Sequence, residues 1–292
     1  MRDSKSILIS THMVRHAAVI AIILCSVGCT TNPYTGRWQF VPFPSSYMTG
    51  LGAQSYAEVV NNPNVKISKT PQEVEPVQQV AERIIEMAKQ SKYAGKANAF
   101  QWEVAVIKED KTRNAFALPG GKIAVYTGIF PVAKNTAGLA AILGHEVVHA
   151  LAEHGTERMG QGLLAKIGLV GASIALQSQG VSPMASQAGM TALGLGTQVG
   201  ILLPFSRKHE SEADYIGLLL SAQAGYPPEE AVHVWERMEA GGGTQPSEFL
   251  STHPGHGTRI KDLNKAMPEA RALYEQSSKA PVSELPAVGG GH

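Results

Sequence analysis

Residues 136–157 constrain this chain more than any other stretch. Leu139, Ile142, Leu143, Val147 and Leu151 recur at helical spacing, with Asn135 or Thr136 placed to cap the N-terminus. The spacing predicts an amphipathic helix, and His145-Glu146-Val147-Val148-His149 lies inside it. Two histidines four residues apart project from one helical face, so their imidazole nitrogens can grip one metal ion. Glu146 is rotated about 100° from His145, near such an ion but not bound to it. There it can act as the base that takes a proton from a water the metal activates.

A tetrahedral catalytic Zn²⁺ site needs a third protein ligand and an open fourth position. Downstream, His209-Glu210-Ser211-Glu212-Ala213-Asp214 supplies a candidate. Glu210 and Asp214 are four apart on a helix expected over 208–224, which ends at Gly225 with Pro227 and Pro228 beyond. Glu210 can ligate the zinc while Asp214 accepts the second N–H of a ligand histidine and fixes its tautomer.

The rest of the chain frames this pair of helices. Residues 72–92 are helical by periodicity. Phe100 to Val106 alternate, Asn114–Leu118 are extended, Pro119-Gly120-Gly121 turns, and Lys122–Phe130 form a third extended run. Together these predict a small antiparallel sheet. The fold class expected is α+β, mainly helical, with the active-site helix packed on that sheet. A helix is expected over 228–240, then a Gly241-Gly242-Gly243 linker, a helix pair over 257–276 and a disordered tail over 277–292. Residues 159–206 hold nine glycines and a single charge, Lys166. They are helices of a lid or hairpin in contact with a membrane, or two ordinary buried helices.

Composition excludes some functions. The 25 Lys and Arg against 24 Asp and Glu leave no basic excess for nucleic acid. The two cysteines, Cys25 and Cys29, cannot make a disulfide scaffold. They follow a basic flank and the apolar run 17–24, which is too short to span a bilayer and reads as a secretory signal. Ser26-Val27-Gly28-Cys29 resembles a bacterial lipobox, with Met1 or Met13 as the start. That resemblance implies a signal peptide over 1–28, a lipidated Cys29 and anchorage at the periplasmic face of a bacterial outer membrane; residues 29–50 are then expected as a tether and 51–276 as the folded domain.

Further carriers of likeness are Thr35-Gly36-Arg37, Asn114-Ala115-Phe116-Ala117-Leu118-Pro119-Gly120-Gly121, Leu151-Ala152-Glu153-His154-Gly155 and Thr252-His253-Pro254. With the His-Glu-x-x-His helix and the Glu210–Asp214 cluster, the chain resembles the gluzincin metalloendopeptidases of the HtpX and CAAX-prenyl-protease type. It is closest to their soluble branch, which includes the Oma proteases and periplasmic lipoproteins. The resemblance implies His145, His149 and Glu210 as zinc ligands, Glu146 as general base and Asp214 as the buried acid supporting a ligand histidine.

The expected activity is endopeptidase cleavage of misfolded or misassembled envelope proteins, with peptide added as a strand beside Asn114–Leu118. A chaperone-like assembly factor with a vestigial or latched site is the rival, and an intact Glu146 argues against it. His253, between Thr252 and Pro254 with Gly255 and Gly257 following, is expected to cap the zinc at rest; the alternative is to steady the oxyanion during turnover. His154, five residues after His149, is expected to be structural.

Overall fold

The computed structural model describes residues 28–178, 182, 206–240, 248–253 and 257–288. The apolar run 17–24, most of 179–205, the triple glycine and Pro254–His256 lie outside them. Two short strands, β1 (Cys29–Thr31) and β2 (Trp38–Phe40), form an antiparallel hairpin. Helices α1 (Ser45–Val60), α2 (Pro71–Gln90) and α3 (Ala94–Ala99) follow. A three-stranded sheet contains β3 (Glu103–Ile107), β4 (Ala115–Leu118) and β5 (Lys122–Tyr126). The chain then runs through α4 (Phe130–Ala133), α5 (Thr136–Leu151), α6 (His154–Ser178), α7 (Arg207–Gln223), α8 (Glu229–Ala240), α9 (Glu248–Thr252) and α10 (Arg259–Gln276).

Helix α5 is the centre of the molecule. Every residue from Thr136 to Leu151 except Ala141 is buried, because α2, α7, α8 and β4 surround it. Val77, Ala81 and Ile84 of α2, Ile123 and Val125 of β5, Leu139, Leu143 and Val147 of α5, and Ile216 and Leu220 of α7 share one core. Full burial of each large aliphatic side chain is worth roughly 1.5–3 kcal/mol, so the core is ample to hold a polar helix face in place. The N-cap is as expected: Asn135 Oδ1 accepts from the Gly138 N–H at 2.8 Å.

The α5–α7 crossing is unusually close for a chemical reason. A Cβ on Gly144 would meet the Gly217 carbonyl oxygen at 2.8 Å, and one on Gly217 would meet the His145 nitrogen at 2.7 Å. Glycine on both helices lets the backbones approach to where the side chains of one turn reach those of the other.

Several expectations need correction. The sheet is mixed: β5 is central, parallel to β3 and antiparallel to β4. The loop after β3 passes the far end of β5, held by Thr127 Oγ1 on Asp110 at 2.6 Å and Gly128 N–H on the Glu109 carbonyl at 3.1 Å. It therefore delivers β4 to the opposite edge. The β4–β5 turn does behave as expected, since Gly120 and Gly121 both have φ of +88°. The third extended run stops at Tyr126, and residues 127–133 coil into a 3₁₀ turn and α4.

The helix expected over 136–157 ends at Leu151, where Glu153 takes the left-handed conformation (φ 57°). The carbonyls freed there are satisfied by Gln39 Nε2 on Ala152 at 2.7 Å and Lys96 Nζ on Leu151 at 3.2 Å. The pair expected over 257–276 is a single helix, α10, which runs through Pro268. Residue 50, taken as a tether end, lies inside α1.

The described part of the tail, 277–288, is docked rather than loose. Thr136 N–H reaches the Ser283 carbonyl and Leu285 N–H the Lys134 carbonyl, both at 2.9 Å. No described helix is long and apolar enough to cross a membrane.

Candidate metal centre

The α5–α7 crossing brings the predicted residues together. His145 and His149 point the same way from α5, their Nε2 atoms 3.0 Å apart. Glu210, in the first turn of α7, puts Oε2 at 3.6 Å from His145 Nε2 and Oε1 at 3.4 Å from His149 Nε2. His253, just after α9, completes the group: its Nδ1 is 3.3 Å from His145 Nε2 and 3.1 Å from Glu210 Oε1. One ligand atom from each of the four residues lies within 4.8 Å of the others, and all four residues are buried.

These spacings fit a metal. Ligand atoms about 2.0–2.1 Å from a tetrahedral centre sit about 3.3–3.4 Å from each other, and the separations of 3.0–3.6 Å here bracket that value. Nitrogen lone pairs facing one another need a cation or a shared proton between them. Glu146 adds an orphan: its Oε1 is buried without a hydrogen-bond partner, 3.5 Å from His253 Nε2. A buried carboxylate oxygen aimed at the cluster but not part of it is what a base beside a metal would show.

Electrostatics suit the roles. Burial, aided by the neighbouring His145, His154 and His253, pushes the His149 imidazole well below its usual range, toward the neutral form a metal needs. Burial raises the Glu146 carboxyl, which makes it a better base. Burial alone would raise Glu210 as well, but the His253 hydrogen bond and the His145 and Arg259 charges hold it below the usual carboxylate range. Asp214 is likewise held low against burial, chiefly by Arg259. Its Oδ1 lies 3.0 Å from His145 Nδ1, the contact anticipated from sequence.

Three contributors escaped the sequence reading. Arg259, at the start of α10 and 1% exposed, forks onto Asp214 (Nε–Oδ2 2.7 Å, Nη2–Oδ1 2.5 Å) and reaches Glu210 Oε2 at 2.7 Å. Its guanidinium lies 3.5 Å over the Trp235 ring. Two carboxylates four apart on a buried helix require a cation; that was the available signal. His154, expected to be structural and off the metal face, touches a candidate ligand directly, with Nδ1 3.1 Å from His149 Nδ1. Glu212 then lies 3.1 Å from His154 Nε2. Cys29 is exposed in β1, in the hairpin rather than in the cluster.

Comparison with known proteins agrees with this arrangement. The model of "Peptidase family M48" matches residues 71–267. A mitochondrial metalloendopeptidase OMA1 from Schizosaccharomyces pombe is 41% identical over 181 residues, which is 61% of this chain and 50% of that protein. The Danio rerio mitochondrial metalloendopeptidase OMA1 is 32% identical over 266 residues, 87% of this chain and 53% of its own. The Escherichia coli β-barrel assembly-enhancing protease is 30% identical over 169 residues, covering 57% of this chain and 34% of that protein. The chain thus spans about half the length, or less, of the curated relatives it matches. The mitochondrial relatives in fungi, plants and animals overturn the bacterial outer-membrane location expected from the N-terminal segment. With a family match over most of its length and a four-residue ligand cluster on the matched helices, this chain belongs to peptidase family M48, a family of metal-dependent endopeptidases.

Proposed function

We propose that the chain is a zinc-dependent endopeptidase acting on unfolded or misassembled polypeptides. The observation that carries this is the convergence of His145, His149 and Glu210 with Glu146 alongside. Zinc, when bound, would supply a Lewis acid that lowers the pKa of water and polarises the scissile carbonyl. Glu146 accepts the proton of the attacking water through its unpartnered Oε1 and passes it to the leaving amine. Asp214 and Arg259 hold His145 and Glu210 in register.

A substrate route is consistent with the sheet. Strand β4 is at the sheet edge, and among the described strands none pairs with its other side. A groove of about 170 Å³ runs there, lined by Met48, Leu51, Ala117, Leu118, His149 and Met159. An extended peptide laid along β4 pairs through its main chain, which is tolerant of sequence, and sets one side chain in the apolar groove beside His149. Unfolded chains offer such extended segments; folded ones do not.

His253 sits among the candidate ligands, stacked on Phe249 with ring centroids 4.5 Å apart. That position favours the resting-cap role, with His253 leaving the cluster when substrate enters.

The test is digestion of unfolded casein with and without chelator, zinc being restored afterwards. Chelator-sensitive cleavage that zinc rescues is expected. Glu146→Gln should keep its zinc and lose cleavage by several orders of magnitude, because an amide cannot accept the proton. Wild-type turnover in a metal-replete Glu146→Gln protein would remove the basis of the assignment.

A further inference from the structure

We propose that the Thr35-Gly36-Arg37 turn is a positioning element of the metal centre, setting the tautomer and tilt of His149 through Glu212 and His154. The turn precedes the matched family segment, which starts at residue 71. The inference deepens the metallopeptidase reading and rests on it.

The two candidate ligand histidines are supported differently. His145 Nδ1 meets a carboxylate directly, Asp214 at 3.0 Å. His149 Nδ1 meets another imidazole nitrogen, His154 Nδ1, at 3.1 Å, and of two such nitrogens one must donate and the other accept. The far side of His154 settles which. Its Nε2 faces Glu212 Oε2 at 3.1 Å, and a carboxylate only accepts, so the His154 proton belongs on Nε2. His154 Nδ1 is then an acceptor, His149 donates from Nδ1, and the lone pair of His149 Nε2 is turned toward Glu210 and His145. Reversing the chain would put a proton where the metal binds.

Glu212 therefore orders the whole relay, and the N-terminal turn holds Glu212. Arg37 Nη2 donates to Glu212 Oε2 at 2.8 Å, and Thr35 Oγ1 donates to Glu212 Oε1. The same guanidinium forks onto both oxygens of Glu157, at 2.7 and 2.8 Å. Glu157 in turn lies 3.0 Å from His209 Nε2, and the His209 ring stacks on His154 with centroids 4.6 Å apart. The turn itself is fixed by Asn32: its Oδ1 accepts from the Tyr34 N–H at 2.9 Å, and its carbonyl from the Gly36 N–H at 2.8 Å. His154, Glu157 and Glu212 are all buried, and Arg37 is the guanidinium that meets both carboxylates.

The test uses cobalt(II) as the probe metal on the full 292-residue chain. The readouts are affinity by chelator competition and the visible ligand-field spectrum, with circular dichroism to verify folding. Arg37→Ala and His154→Ala should each weaken cobalt binding by about 10–100-fold and alter the spectrum, as loss of an outer partner does. The double variant should bind no more weakly than His154→Ala alone, because both substitutions act through one chain of contacts. Arg37→Lys should fall between, since an ammonium keeps the charge but lacks the planar fork that makes three bonds to the two carboxylates.

Lys108→Ala breaks a different ion pair, Lys108–Glu73, and should leave cobalt affinity unchanged. Should Arg37→Ala fail to fold, Arg37→Lys and Thr35→Val decide by the same readouts. A folded variant of the turn with wild-type affinity and spectrum, or additive losses in the double, overturns the proposal. Failure of the underlying metal reading looks different: wild type then takes up no cobalt, or His149→Ala binds it as tightly as wild type.

Discussion

Arg259→Met removes one charge from the most deeply buried ion cluster and keeps most of the side-chain stem. The guanidinium is 1% exposed and makes three short bonds to carboxylates, two to Asp214 and one to Glu210. Removing one partner of a buried ion pair costs about 3–5 kcal/mol, because the remaining charge is neither solvated nor paired. The stacking of Arg259 over Trp235 adds about 0.5–2 kcal/mol. In a domain of this size each kcal/mol moves Tm by roughly 2–4 °C, so the metal-free variant should melt about 10–20 °C below wild type. Protonation limits the loss. Arg259 holds the Asp214 carboxyl below its usual range, so that part of the stability is present above about pH 4 and fades as pH falls further. The gap between wild type and variant should therefore narrow in acid. Thermal and urea unfolding of chelator-treated protein, followed by circular dichroism, measures it. Adding Asp214→Asn to Arg259→Met should recover part of the deficit, since the stranded charge goes with its partner. A loss below about 1 kcal/mol, or a double variant as unstable as the sum of the singles, would refute the reasoning.

Gly217→Ala should cost several kcal/mol, on the order of 3, because its methyl would sit 2.7 Å from the His145 backbone nitrogen and force α7 off α5. It should also weaken metal binding by moving Glu210, so wild-type zinc affinity in a folded Gly217→Ala protein contradicts the account of the helix crossing. The stability of the metal-free protein should fall in acid. Burial lowers the His154 imidazole from 6.5 to about 4, so the unfolded chain binds the extra proton and stability is lost as pH drops from 6.5 through 4, by about 3 kcal/mol. Glu157 and Glu212, held at about 2 against burial by their histidine and Arg37 partners, extend the loss below 4.5. A urea stability flat across that range defeats the assignment. His253→Ala, assayed on unfolded substrate at saturating zinc, should keep or raise maximal turnover; a hundredfold fall in kcat with zinc retained gives His253 the oxyanion role instead.

The sequence carried the site further than it carried the fold around it. His145, Glu146, His149, Glu210 and Asp214 stand in local patterns, each spaced by one helical turn, and α5 and α7 place them as those patterns require. The spacing says nothing of how two helices cross, however. That is set by Gly144 against Gly217, a contact between positions 73 apart in sequence, and neither glycine is marked by periodicity. Sheet order was illegible for a related reason. Alternation identifies β3, β4 and β5 but not which strand lies in the middle, and here the Thr127–Asp110 contact steers the intervening loop. The break at Glu153 was missed because helical spacing continues through it. The partners that satisfy its freed carbonyls, Gln39 and Lys96, come from 113 and 55 residues earlier in the chain.

Charge accounts for why those distant partners exist. Around the four candidate ligands, Glu146, Glu210 and Asp214 are buried carboxylates, and Arg259 is the guanidinium that meets two of them. With the histidines neutral, three negative charges and one positive leave a deficit of two, and a divalent cation restores neutrality inside the low-dielectric core. In the metal-free protein, Glu146 is driven toward its protonated form by burial, and His253 is drawn upward by Glu146 and Glu210 against its own burial. Both directions favour a bound proton beside the metal-free cluster, so proton release on metal binding is the expected outcome. A monovalent ion would leave one charge unmatched, and loss of Arg259 would leave three against two. In the outer layer Arg37 is set between Glu157 and Glu212, and His154 keeps its proton on the side away from His149, facing Glu212. The residues that hold the site are therefore drawn from both ends of the chain, because Arg37 and Arg259 are the guanidinium groups that meet its buried acids, two acids each.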